Sequence, residues 1–347
     1  LVSFWPDERF LALSGARLAI VQAPMAGAGG VELAVAAIEG GAVGSLPCAM
    51  LGPDEVKAQV AEVRARTTGP LNLNFFCHDM PAETDDGEWR ALLGPYYAEQ
   101  GLSPDATGGS VRRPFDAAMC AAVEAARPEL ISFHFGLPDA ALLERVRSTG
   151  ATILGNATTV AEARVLAERG VDTIIAQGWE AGGHAGRFLN DPPDEQMGLI
   201  ALVPQIVDAI CLPVIAAGGI ADARGIAAAF MLGAAAVQLG TAFLHCPESL
   251  IKPAHRDALA SGAAEHTAFT NLYSGGLARG LPTRLTEELG PIREEAPPFP
   301  LASLALAPLG FTPHWAGQAA ALGAPEGARA LTERLGREAL ALLSGKA

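Results

Sequence analysis

The stretch Asp172-Thr-Ile-Ile-Ala-Gln177-Gly-Trp-Glu-Ala-Gly-Gly-His184-Ala-Gly186 carries more of the fold and the chemistry than any other in the chain. Its first part is a short apolar run that reads as a buried strand and stops at a glutamine. Its second part sets four glycines, Gly178, Gly182, Gly183 and Gly186, around one histidine. Glycine accepts backbone angles that other residues avoid and lets a main chain approach a flat ligand closely. A histidine so placed sits on a ligand-hugging loop at the C-terminal end of a strand, where α/β proteins put their chemistry. A plain glycine linker with a solvated histidine fits less well, because Gly182, Gly183 and Gly186 bracket His184 too tightly.

The strand-then-helix unit recurs outward from this point. Apolar runs at Leu18–Gln22, Ala42–Leu46, Leu71–Phe76, Leu130–His134, Thr152–Gly155, Asp172–Gln177, Pro213–Ala217 and Ala235–Leu239 alternate with helix-like segments. Thr159 and Glu162 form a capping box before Ala163–Arg169, with Gly170 after it; Asp54 caps Glu55–Arg66, and Pro138-Asp139 opens Ala140–Ser148. Such alternation predicts a parallel sheet with right-handed crossovers, and eight units predict a closed (β/α)8 TIM barrel. The run Gly225–Leu244 is apolar enough to raise a membrane span. Gly233 and Gly240 divide it, however, and Asp222 caps its first part, so it reads as a buried helix–strand pair. Two regions break the rhythm: residues 77–112 after the third strand, irregular and rich in Pro, Gly, Asp and Glu, and residues 245–347 after the eighth. We expect a barrel over residues 1–244 and, over 245–347, barrel-closing helices with a small second lobe, the insertion covering the barrel mouth.

Composition bounds the partners. The 347 residues carry a net charge of −14, which argues against nucleic acid or an anionic membrane. Five scattered cysteines without CxxC spacing point to a reduced, cytoplasmic protein with no metal site. No signal peptide is visible, since the run from Leu1 to Arg9 meets charge at once. Oligomeric state stays open, with a homodimer as one option.

Candidate site residues come from the strand ends. Parallel barrels often hold a phosphate with the loops after strands seven and eight. Gly218 and Gly219 end strand seven; Gln238, Leu239, Gly240 and Thr241 end strand eight. Tight turn chemistry explains either alone, but the pair favours a phosphate-bearing ligand. Ala23, Pro24 and Met25 give a rigid main chain suited to the face of a planar ring. Asn72 and Asn74 share one face of strand three, and Gln177 ends strand six near the same ring edge. His134 ends strand four at the same rim; a structural role and a catalytic one are equally open.

Here the residues converge on a family. The chain resembles the nitronate monooxygenases, FMN-containing barrels formerly called 2-nitropropane dioxygenases, over nearly its whole length. The carriers are Val21-Gln-Ala-Pro-Met-Ala26, Asn74-Phe-Phe-Cys-His78, Gln177-Gly-Trp-Glu-Ala-Gly-Gly-His184, Ala216-Ala-Gly-Gly-Ile220, Gln238-Leu-Gly-Thr241, Ser274-Gly-Gly-Leu-Ala-Arg-Gly280 and Trp315-Ala-Gly-Gln318. Asn-Phe-Phe-Cys-His with the insertion after it looks like the class I branch. The resemblance implies FMN contacts from Ala23, Pro24, Met25, Asn74, Gln177, Gly182, Gly183, Gly218, Gly219 and Gln238 to Thr241, with His184 at the reactive edge and His134 beside it. It implies oxidative denitrification of a small anionic nitronate, propionate 3-nitronate among the candidates, by O2. Two departures stand out: Gly276 replaces an arginine expected after the Ser-Gly pair, and Phe311-Thr-Pro-His-Trp315 holds no tyrosine. An FMN enoyl-thioester reductase using NAD(P)H, an FMN-free isomerase or lyase barrel and a non-catalytic flavin binder are the rival readings.

Overall fold

Short, almost wholly buried strands build the centre of the molecule, as expected where both faces of a parallel sheet are covered. The computed structural model describes residues 5–82, 85–109, 111–189 and 196–345. The first part of the N-terminal run, residues 1–4, lies outside the described residues, as do 83, 84 and 110 of the insertion. The strands are β1 (Ile20–Gln22), β2 (Gly44–Pro47), β3 (Leu71–Phe76), β4 (Leu130–His134), β5 (Thr152–Ala157), β6 (Thr173–Gln177), β7 (Gly183–His184), β8 (Val214–Ala217), β9 (Ala236–Leu239), β10 (Ala268–Thr270) and β11 (Ala278–Gly280).

Eight of them pair in parallel in the order β1-β9-β8-β6-β5-β4-β3-β2. A bridge between Val21 and Val43 joins the two edges, with Val43 N donating to Ile20 O at 3.0 Å and Gln22 N to Val43 O at 2.9 Å. The sheet is thus an α/β barrel, and each expected strand falls on one of its members. The run 225–244 divides as expected into the helix Ala223–Met231, capped by Asp222, and β9. No helix among the described residues is long and apolar enough to cross a membrane.

The last helix, Ala328–Leu343, closes the outer ring. Its Gly336 lies so near Leu18 that a Cβ would stand 2.6 Å from that side chain, and Ala328, Leu331, Leu335 and Ala339 join the main core. A second cluster binds Trp89, Leu93, Tyr96 and Tyr97 of the insertion to Leu272, Tyr273, Leu285 and Leu306. The insertion and the C-terminal region therefore share one small core at the barrel mouth. Its sheet, ordered β10-β11-β7, is antiparallel and takes its last strand from the glycine loop itself. That strand is too short to leave a period in the sequence.

Two caps differ from expectation. The helix Pro53–Arg66 begins two residues earlier, after Gly52, whose N–H reaches Glu55, while Asp54 sits in the first turn and pairs with Lys57 at 2.7 Å. Proline at the first helical position, which needs no N–H partner, sets that start. Thr159 does accept from Glu162 N at 3.2 Å, but the Glu162 carboxylate turns away from the expected box. It accepts instead from Thr158 N, Thr158 Oγ1, Phe188 N and Leu189 N, between 2.7 and 3.3 Å. Buried loop amides with no strand to satisfy them outcompete the box.

Candidate active site

The C-terminal ends of the barrel strands surround a cavity of about 450 Å³, within the roughly 300–1,000 Å³ usual for small-molecule sites. Of the candidate residues at the strand ends, all line it except Leu239 and Asn72, whose buried Nδ2 donates to Ser45 Oγ at 3.1 Å and Ser132 Oγ at 3.0 Å inside the barrel. Leu239 is fully buried and contributes only its carbonyl, which accepts from Ala23 N at 2.9 Å.

The glycine loop is built from both sides. Gln177 Nε2 donates to the His184 carbonyl at 2.9 Å, and Gln177 Oε1 accepts from Asn156 Nδ2 at 3.0 Å and Gly186 N at 2.8 Å. Gln177 thus spends most of its polar capacity on the loop. Glu180 accepts from Leu199 N at 3.0 Å, filling an open donor at the start of the helix Leu199–Ala209. Gly182 lies against Ala316 and Gly317, where a Cβ would stand 2.5 Å from backbone, and Gly183 has φ 74°. Gly186 is equally constrained: a Cβ there would meet His134 Cε1 at 2.4 Å.

The two histidines come together but are not equivalent. His134 Nε2 lies 3.2 Å from the His184 carbonyl, and since a carbonyl only accepts, that nitrogen carries the hydrogen. Burial pushes His134 down to about 4, so it is a neutral positioning group at pH 7. His184 Nε2 lies 2.8 Å from Ser274 Oγ, while its Nδ1 makes no hydrogen bond among the described residues. Burial first, then the charges of Arg112, His134 and His78, hold His184 well below its ordinary value. Phe135 and Phe299 pack around these rings, at 4.6 Å from His134 and 5.1 Å from His184. Phe135 has φ 64°, a left-handed backbone rare for a bulky residue and often found at working sites.

The opposite end has different chemistry. The N–H groups of Gly219 and Gly240 find no acceptor among the described residues. Gly218 and Gly219 have φ of 117° and 66°, which only glycine takes without strain. Thr241 Oγ1 accepts from Gly317 N at 2.9 Å, leaving its own hydrogen to donate. Gln238 Oε1 is buried without a partner and awaits an N–H. Asn74 gives Nδ2 to Ser132 at 3.0 Å and keeps Oδ1 free of any described donor. Free donors at one end, apolar Ala23–Met25 in the middle and unpartnered amide oxygens beside them fit a flat ring with polar edges and an anionic tail.

Ser274, Asn156, Arg112, Trp315 and Phe299 were not assigned roles from sequence. Asn156 was legible, as a buried amide in an apolar strand like Asn72 and Asn74. Ser274 opens the glycine-rich motif Ser274–Gly280, whose local pattern names no partner for it, and Arg112 falls in a stretch without periodicity. Gly276, where an arginine was expected, packs so closely on Phe299 that a Cβ would stand 3.1 Å from its ring.

The family model for nitronate monooxygenase matches residues 8–333. A nitronate monooxygenase of Paraburkholderia phytofirmans is 41% identical over 94% of both chains. One of Pseudomonas aeruginosa is 38% identical over 94% of this chain and 99% of that one. The solved nitroalkane oxidase of Streptomyces ansochromogenes superposes with a TM-score of 0.89 at 32% identity, over 98% of this chain and 100% of that one. FabK from Thermotoga maritima, with a TM-score of 0.75 at 23% identity, shares the fold. With its barrel, its cavity and these relatives together, the chain belongs to the nitronate monooxygenase family and is a flavoprotein oxidoreductase.

Proposed function

We propose that the protein oxidises alkyl nitronates with O2, uses FMN as its flavin, and releases nitrite and a carbonyl product. The observation that carries this reading is the His184 imidazole, held by Ser274 at one end of a cavity whose other end offers glycine amides unpaired among the described residues. Gly219, Gly240 and Thr241 would hold the FMN phosphate, Ala23–Met25 the ring face, and Gln238 and Asn74 its polar edge. Bound FMN supplies the electron acceptor between nitronate and O2. The chain's own part is to bind the anion, orient it and exclude water.

His184 decides the form of the substrate. An imidazole held well below its ordinary value is a poor base for a carbon-bound proton at pH 7. It orients an anion readily, by a hydrogen bond from Nδ1 when Ser274 donates to Nε2. The site therefore suits a nitronate already formed rather than a neutral nitroalkane. The test is the visible spectrum before and after anaerobic addition of an alkyl nitronate. We expect loss of the flavin colour, its return with air, and nitrite in solution. His184→Asn keeps its flavin and loses turnover on the order of 100-fold. Bleaching by NAD(P)H but not by nitronate would replace this reading with a reductase, and full activity in His184→Asn would remove the histidine from it.

A further inference from the structure

Arginines buried for structural reasons announce themselves by their acceptors. Arg279 is 3% exposed, and its guanidinium donates to Trp179 O at 3.1 Å, Thr267 O at 3.3 Å and Thr267 Oγ1 at 3.1 Å. Arg112 is the opposite case. It lines the active-site cavity, its Nε is buried without a partner, and among the described residues its side chain has neither a hydrogen bond nor a carboxylate within 4.0 Å. Arg293 shares the orphaned Nε but does not reach the cavity. A guanidinium stays charged at any working pH, so it cannot escape burial by losing its proton. A half-buried cation with no carboxylate beside it among the described residues is costly, and the cost is recovered when an anion arrives.

We infer that Arg112 is the anion-binding element of this site, carried in by the insertion after β3 to grip the two oxygens of the nitronate head beside His184. The inference rests on the nitronate reading above. A nitronate presents two coplanar oxygens sharing one charge, the pattern that a guanidinium fork matches with two parallel hydrogen bonds. The location separates this anion from the FMN phosphate. Arg112 follows β3 and leads into β4, whereas the free glycine amides follow β8 and β9 across the barrel. Its charge also acts on His184 and His78, which puts it at the imidazole end. The turn after Ser274 offers no competing cation, since Gly276 is packed against Phe299.

Nitrate is a planar oxyanion of the same shape and serves as a non-reacting probe. Its Kd for the holoenzyme is measured by calorimetry in wild type, Arg112→Gln and Arg112→Lys, beside the KM for propyl-1-nitronate, which has no second anionic group. Arg112→Gln is expected to weaken nitrate binding and raise KM by about 10-fold or more, as loss of a charge-assisted pair implies. Arg112→Lys, keeping charge but losing the fork, falls between. Because the wild-type cation has no partner among the described residues, Arg112→Gln should melt at the wild-type temperature or above. Unchanged nitrate affinity and KM in Arg112→Gln overturn the inference. So does a collapsed Arg112→Gln fold beside an Arg112→Lys that binds nitrate as wild type does, since that marks a structural arginine. Nitrate binding that depends on Arg112 in an enzyme that oxidises no nitronate would sink the substrate reading and spare the anion site. Nitronate oxidation with Arg112 silent does the reverse.

Discussion

The hydrogen bond between His184 Nε2 and Ser274 Oγ, 2.8 Å long, joins the reactive ring to a residue ninety positions away. Ser274 is 1% exposed, and its oxygen has no alternative partner closer than Gly276 N at 3.4 Å. Ser274→Ala leaves Nε2 without that partner and frees the ring to turn. A net loss near 1 kcal/mol predicts about a 5- to 10-fold fall in kcat with flavin content unchanged. Steady-state kinetics with flavin-normalised enzyme check it, and an unchanged kcat would reduce Ser274 to a packing residue. At this scale the sequence was informative where chemistry and local pattern coincide, as at His184 between glycines. It was mute on Ser274 because the partner is set by β11 pairing with β7, a contact between distant segments.

Among the elements, the segment from β6 to the helix Leu199–Ala209 is held by two carboxylates. Glu180 reaches forward to that helix, and Glu162 reaches from the helix Val160–Glu168 to Phe188 and Leu189. Glu162 is 1% exposed and answers four donors. Glu162→Ala strands those donors in an apolar setting, for a predicted loss of about 3 kcal/mol or more. Urea denaturation reads this directly, with a loss below about 1 kcal/mol counting against the account. Caps were partly legible: Asp139, Thr159 and Asp222 accept from the amides their positions promise, because capping is local. The Glu162 side chain departs from its box because the demand of a distant loop is not.

For the whole molecule, the neutral histidines at the cavity weaken the fold in acid. His134 titrates at about 4 in the folded chain against about 6.5 when unfolded, and His184 is shifted the same way. Below pH 6.5 the unfolded chain binds protons that the folded chain refuses until about pH 4, so stability falls as pH drops through that window. His134 alone accounts for on the order of 3 kcal/mol. Chemical denaturation at pH 7, 5.5 and 4.5 should show a falling midpoint, and a flat profile would contradict these burials. The barrel was legible from its eight apolar runs because its strands pair with near neighbours. The small sheet was not, since β7 is far in sequence from the β10–β11 pair and its strands are two or three residues each.

That small sheet has a mechanical outcome. The main chain of His184 is its outermost rung, in register with Ala278, while the Gln177 side chain ties the same peptide to the barrel. The imidazole is therefore geared to both bodies at once. Trp315 lies edge-on to that ring with centroids 5.6 Å apart, so a substitution at the entrance falls directly against the reacting imidazole.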